Sequence, residues 1–213
     1  MDRRGGVTRR GFLKGVGAAA ATGGVAAIPA IALAAKADEE AAAQAPAGPA
    51  VLGPGPVPVT LNVNGKPHAL RIEPRTTLLD AVRDGVGLTG PKQVCDGGAC
   101  GACTVLLDGA PVCACMVLAL DAEGRSVTTV EGLVGAGGAP SDLQREFVAK
   151  DALQCGYCTC GMVTAAESLL RRNPTPTPDD VRAGLAGNIC RCGTYTRIVE
   201  AVISTASLRR KGK

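Results

Sequence analysis

Two hydrophobic periods divide this chain. Across residues 57–130 apolar positions tend to recur every second residue, and beyond residue 140 every third or fourth. Val57-Pro58-Val59-Thr60-Leu61-Asn62-Val63 alternates as a half-buried strand does. Asn64-Gly65 is a tight-hairpin dipeptide, and residues 68–72 return as a second strand. Thr77 is placed to cap a short helix with Leu78, Leu79 and Val82 inward and Asp80 at the capping-box position. Residues 104–107, the turn Asp108-Gly109 and a strand at Val112 make a second hairpin. Residues 126–130 add one more strand. The pattern predicts a sheet-plus-helix module over residues 57–134.

Gly135-Ala136-Gly137-Gly138-Ala139-Pro140 reads as a linker, spanning 135–141. Ser141 with Gln144 forms a capping box for one helix, and Met162, Val163, Ala166, Leu169 and Leu170 line a second, stopped at Asn173-Pro174. Thr177-Pro178 opens a third, with proline at the favoured first position. Ile198, Val199, Val202, Ile203 and Ala206 line a fourth. Residues 142–206 are thus expected to be a small four-helix bundle, followed by a basic tail over 207–213. The fold class is α+β in two successive domains.

Composition changes the picture at the front of the chain. Thr8-Arg9-Arg10-Gly11-Phe12-Leu13-Lys14 is a twin-arginine motif, and residues 15–34 form a weakly apolar stretch rich in Ala and Gly. Residues 1–34 read as a signal for export of the folded protein to the periplasm. Ala32-Leu33-Ala34 is a cleavage site, with Ala35-Lys36-Ala37 as a second. A membrane anchor is the rival reading, opposed by Pro29 and the shortage of Leu and Ile. Residues 35–56, rich in Ala, Pro and Gly, read as a flexible lead-in. The net charge of +4 resides in the signal, which carries five Lys/Arg and one Asp. The rest of the chain balances 18 basic against 18 acidic residues and has no basic-aromatic stripe for nucleic acid. With no Trp, two Phe and two Tyr, the cores must be built from small aliphatic side chains. Metal staples would help such cores.

Ten cysteines supply the candidate staples. Cys95-x4-Cys100-x2-Cys103 closes, after eleven residues, at Cys115, which is the plant-type [2Fe–2S] spacing. Cys155-x2-Cys158 is followed, after 31 residues, by Cys190-x-Cys192. Two tetrads imply two redox centres in series, hence an electron conduit. The first ligand loop, Asp96-Gly97-Gly98-Ala99-Cys100-Gly101-Ala102-Cys103, is nearly free of bulk, so its amides can point at cluster sulfurs. The second tetrad sits just ahead of two helices, whose N-terminal amides favour an anion. Zinc is the alternative occupant, although the one-residue gap in Cys190-x-Cys192 suits a zinc knuckle poorly. Cys113 and Cys160 are left over, as spare thiols, substitute ligands or a mutual disulfide. His68 is the only histidine, which excludes a Rieske centre, and it is expected on the surface. The chain by itself has no catalytic site.

With both tetrads in place, residues 57–206 resemble the small two-cluster subunit of the molybdenum hydroxylases, the xanthine oxidase and aldehyde oxidoreductase family. The resemblance rests on Thr77-Leu78-Leu79-Asp80-Ala81-Val82-Arg83, Gly87-Leu88-Thr89-Gly90, Cys100-Gly101-Ala102-Cys103-Thr104-Val105 and Val130-Glu131-Gly132-Leu133. In the second half it rests on Gln154-Cys155-Gly156-Tyr157-Cys158, Gly187-Asn188-Ile189-Cys190-Arg191-Cys192-Gly193-Thr194-Tyr195 and Ile198-Val199-Glu200-Ala201-Val202. It implies a β-grasp ferredoxin-like domain followed by a helical cluster-binding domain. Cys95, Cys100, Cys103 and Cys115 would hold one [2Fe–2S] cluster, and Cys155, Cys158, Cys190 and Cys192 the other. It also implies a large partner subunit with a molybdenum–pterin cofactor, and FAD on a medium subunit or another acceptor. Gln154 aligns with a residue that contacts the pterin. The exported aldehyde and isoquinoline oxidoreductase branches are the most similar. Val94 stands where the family has Gly, and Cys160 where it has Pro. Two other functions compete, a free-standing ferredoxin-like carrier and a disulfide-stapled exported binding protein.

Overall fold

The structure is a computed structural model that describes residues 52–212. The expected signal and most of the lead-in lie outside the described residues. β1 (Val57–Val63) and β2 (Lys66–Ile72) pair antiparallel, with Val57 opposite Ile72 and Val63 opposite Lys66. Asn64 and Gly65 take φ of 53° and 76°, as a two-residue hairpin requires. α1 (Leu78–Asp80) runs on as a π turn, Ala81–Gly85. Thr77 caps it by accepting the Asp80 amide at 3.1 Å, while its hydroxyl donates to the Asp80 carboxylate at 2.7 Å. Half of the expected capping box is present.

β3 (Thr104–Leu107) and β4 (Ala110–Cys113) form the second hairpin, and β5 (Ser126–Thr128) completes a five-stranded sheet in the order β2-β1-β5-β3-β4. β1 and β5 run parallel, and the other neighbours antiparallel. β5 ends two residues before the expected Val130. There Asn64 exchanges two hydrogen bonds of 2.9 Å with Thr129, and residues Val130–Leu133 coil into a 3-10 turn.

Four helices follow, α2 (Asp142–Ala149), α3 (Thr159–Arg172), α4 (Pro178–Gly184) and α5 (Tyr195–Lys211). The expected capping box of Ser141 with Gln144 forms, and Thr177, expected to open its helix with Pro178, makes a second box with Asp180. The basic tail expected over 207–213 is corrected, because α5 continues through Lys211. Arg209 is held in that last turn by a bidentate pair with Asp142, at 2.6 and 2.8 Å, and by Glu167 at 2.7 Å. Cations in a last turn also suit the helix dipole. Among the described residues no helix is long and apolar enough to cross a membrane.

Two cores meet at β3. Val59, Leu61 and Val63 of β1 pack with Leu78, Leu79, Val82, Val105, Leu107 and Val127. Leu106 faces the other way, into Leu143, Phe147, Met162, Val163 and Ile198 of the helical half. All four β3 residues are buried, because this strand has protein on both faces. Full burial of each of these aliphatic side chains contributes about 1.5–3 kcal/mol. β3 is therefore a wall shared by both halves, and it begins immediately after Cys103.

Candidate metal centres

All ten thiols are free in the structure. Cys113 lies against the Gly98 carbonyl at 3.7 Å, whereas buried Cys160 reaches the carbonyls of Ala102 and Tyr157 at 3.3 and 3.4 Å. The disulfide considered between them is corrected on that ground, since the two sulfurs face different backbone segments.

The eight tetrad thiols gather in twos. Cys103 and Cys115 approach to 3.5 Å, and the Cys95 thiol is hydrogen-bonded to Cys100. Cys155 and Cys192 also stand 3.5 Å apart, and Cys158 hydrogen-bonds Cys190. A core with two irons asks for two thiolates on each iron, so paired thiols fit a [2Fe–2S] group at both sites. One zinc ion asks instead for four thiolates about a single point. Among the described residues no three His, Cys, Asp or Glu side chains are grouped to hold a metal ion.

The backbone around each pair is electropositive. At exposed Cys95 the amide of Gly97, the Cys100 thiol and the amides of Cys100 and Ala99 favour the thiolate, bringing it down to about 7. Cys155 is lowered too, first by the Tyr157 amide. At Cys190 burial opposes ionisation, yet the Thr194 hydroxyl at 3.3 Å and the Thr194 amide outweigh it, leaving the thiol at about 7. Cys103 and Cys158 are pushed up to about 12, chiefly by burial, so in the metal-free chain they hold their protons. Cluster binding must displace those protons. Cys158 is the cap residue of α3, and Thr194, two residues past Cys192, caps α5. The Tyr157 amide ahead of α3 and the Thr194 amide that opens α5 thus favour thiolates of the second tetrad.

The two ligand segments touch. The Ile189 amide donates to the Cys100 carbonyl at 2.9 Å. Buried Asn188 donates to the Gly101 carbonyl at 2.8 Å and to the Thr104 hydroxyl at 3.1 Å. Gly101 has φ of +69°, and a side chain there would strike Gly187 and Asn188. A side chain at Gly161 would overlap the Gly101 carbonyl. This seam was not foreseen from the sequence, because Asn188 and Gly101 lie 87 residues apart. Their glycines were the only signal.

Cys95 and Cys155 are the exposed thiols of the two tetrads, and Gln154, next to Cys155 in the chain, is exposed too. His68 is half-buried in edge strand β2 opposite Leu61, not wholly on the surface as expected.

Comparison with known proteins agrees with this geometry. A 2Fe-2S iron–sulfur cluster binding domain matches residues 61–129, and a [2Fe-2S] binding domain matches residues 129–203. The chain is 47% identical over 147 residues to the nicotine 6-hydroxylase small subunit of Paenarthrobacter nicotinovorans, covering 69% of this chain and 88% of that one. It is 40% identical over 183 residues to an aldehyde oxidoreductase iron–sulfur-binding subunit of Escherichia coli K12, covering 78% and 77%. Among solved structures, quinoline 2-oxidoreductase from Pseudomonas putida 86 matches with a TM-score of 0.70 and 45% identity, covering 74% of this chain and 98% of that chain. Aldehyde oxidoreductase from Desulfovibrio desulfuricans ATCC 27774 matches with 0.69 and 41%, covering 73% of this chain but 17% of that longer one.

Fold and paired thiols together define a protein with two [2Fe–2S]-binding domains. The chain belongs to the iron–sulfur small-subunit family of the xanthine oxidase and aldehyde oxidoreductase type molybdenum hydroxylases, and it serves electron transfer in an oxidoreductase complex.

Proposed function

We propose that this chain is the electron relay of an exported molybdenum hydroxylase. Cys95, Cys100, Cys103 and Cys115 hold the first cluster, and Cys155, Cys158, Cys190 and Cys192 hold the second. When bound, each cluster takes up and releases single electrons. The chain's residues keep the inner thiols dry, supply amides toward the sulfurs and hold the two sites in register. The face bearing Gln154 and Cys155 meets a large subunit that carries the molybdenum–pterin cofactor, with Gln154 reaching the pterin. The face bearing Cys95 meets FAD on a medium subunit or another acceptor. Aldehydes and N-heterocycles are the substrate classes, in keeping with the names of the relatives. Arg9 and Arg10 belong to the signal that exports the folded chain to the periplasm.

One observation carries the relay: the 2.9 Å hydrogen bond from the Ile189 amide to the Cys100 carbonyl, which joins the backbone of one ligand segment to that of the other. The test is purification of the full chain from its native host. A larger molybdenum-containing chain should co-purify, and both clusters should become reduced when the complex receives its substrate. A monomeric protein whose clusters ignore that substrate would overturn the reading. Osmotic-shock fractionation tests location: Arg9→Lys with Arg10→Lys should trap the chain in the cytoplasm, and unchanged periplasmic recovery would remove export from the account.

A further inference from the structure

Cys113 lies outside the spacing of both tetrads, yet the fold delivers it to the first one. It ends β4 directly opposite Thr104, the residue after Cys103. The Ala114 amide, between Cys113 and Cys115, bonds the Cys103 carbonyl at 3.4 Å, so the backbone on either side of that bond is tied to Cys103. The Cys113 sulfur sits 3.7 Å from the carbonyl of Gly98, inside the loop that wraps the site. Burial raises the Cys113 thiol, and Cys115, Cys100 and Cys95 are near enough to add to that. The hairpin and loop that carry the first tetrad thus hold a fifth thiol beside the four that a [2Fe–2S] core takes.

We propose that Cys113 is a reserve ligand of the first cluster, able to replace Cys115 on the iron that Cys103 helps to hold. This rests on the assignment of the first cluster above. The exchange moves no electrons. As the sulfur–iron bond to Cys113 forms, its S–H proton leaves to solvent, and the departing Cys115 sulfur takes up a proton. The core keeps four thiolates and its net charge. In the helical half the spare thiol, buried Cys160, is instead committed to the carbonyls of Ala102 and Tyr157. The reserve ligand confines tolerance of ligand loss to one cluster.

The test compares the full-length chain, purified with its partner chains, as wild type, Cys113→Ala, Cys115→Ala and the double variant. The readouts are iron, labile sulfide and the EPR signal of the first cluster. Cys113→Ala should match wild type. Cys115→Ala should keep its iron with altered first-cluster g-values, and the double variant should lose about half of the iron, one of two clusters. Equal iron loss in Cys115→Ala and the double variant would overturn the proposal. Should Cys115→Ala fail to accumulate, isosteric Cys115→Ser serves instead. Its signal should then change when Cys113→Ala is added, and identical signals, or no soluble protein from either Cys115 variant, would count against a reserve role. Wild type without iron would refute the cluster assignment itself, which separates the two failures.

Discussion

The Ile189 amide and the Cys100 carbonyl, 2.9 Å apart, join two candidate ligand segments that lie 89 positions apart in sequence. Cys100 belongs to the first tetrad, and Ile189 immediately precedes Cys190 of the second. Neither half can shift without disturbing the other's ligand loop. The two candidate cluster sites are therefore joined through their ligand loops.

The close approach of Gly161 to Gly101 should make the seam intolerant of a methyl group. Gly161→Ala places carbon on the Gly101 carbonyl oxygen, which is backbone and cannot rotate away. A cost of about 1–3 kcal/mol is expected. It should appear as a lower denaturant midpoint with an unchanged m-value. A midpoint equal to wild type would mean that the seam is looser than described.

Asn188→Ala should act at the same place more gently. It removes a buried donor from the Gly101 carbonyl and the Thr104 hydroxyl, though the carbonyl keeps the Thr104 amide at 3.1 Å and the Thr104 hydroxyl at 2.7 Å. The loss should be about 1 kcal/mol. Both clusters should remain, and their magnetic interaction should change. Loss of a whole cluster would assign Asn188 a larger role than positioning.

Arg209→Ala should destabilise the chain by about 2 kcal/mol, because it removes the bidentate partner of partly buried Asp142 and one of the two arginines on Glu167, which keeps Arg171 at 3.0 Å. Removal of residues 207–213 should cost at least as much. A neutral result for both would restore the view of this segment as a passive tail.

Acid should dissolve that ion pair. The Arg209 guanidinium beside Asp142 holds its carboxyl below the usual carboxylate range. The folded chain then binds fewer protons there than the unfolded chain does. The stabilisation is complete above the unfolded value of about 3.9 and is lost as pH falls through the lower folded value. The Tm difference between wild type and Asp142→Asn should be flat at neutral pH and shrink below about pH 4. A difference that persists unchanged in acid would refute the coupling.

Local chemistry made the elements legible. The alternation in β1, the Asn64-Gly65 turn and the Ser141 and Thr177 caps each depend on residues within about four positions of one another, and each formed. The close pairs Cys103–Cys115 and Cys155–Cys192 each fall within one of the groupings that the spacing proposed. What escaped depends on partners far apart. Arg209 looked like a tail residue because Asp142 lies 67 positions away. β3 formed over its predicted residues 104–107, but its burial on both faces depends on the helical half and was not legible. Cys113 could be read as a spare thiol or a substitute ligand, and its pairing opposite Thr104 was not visible in the sequence.

Reduced wild-type protein, examined by low-temperature EPR with spin counting, tests the relay most directly. Two separate [2Fe–2S] signals should integrate to about two spins per chain and broaden one another, as centres on touching ligand loops must. A single signal, or two signals with no mutual interaction at any temperature, would contradict it.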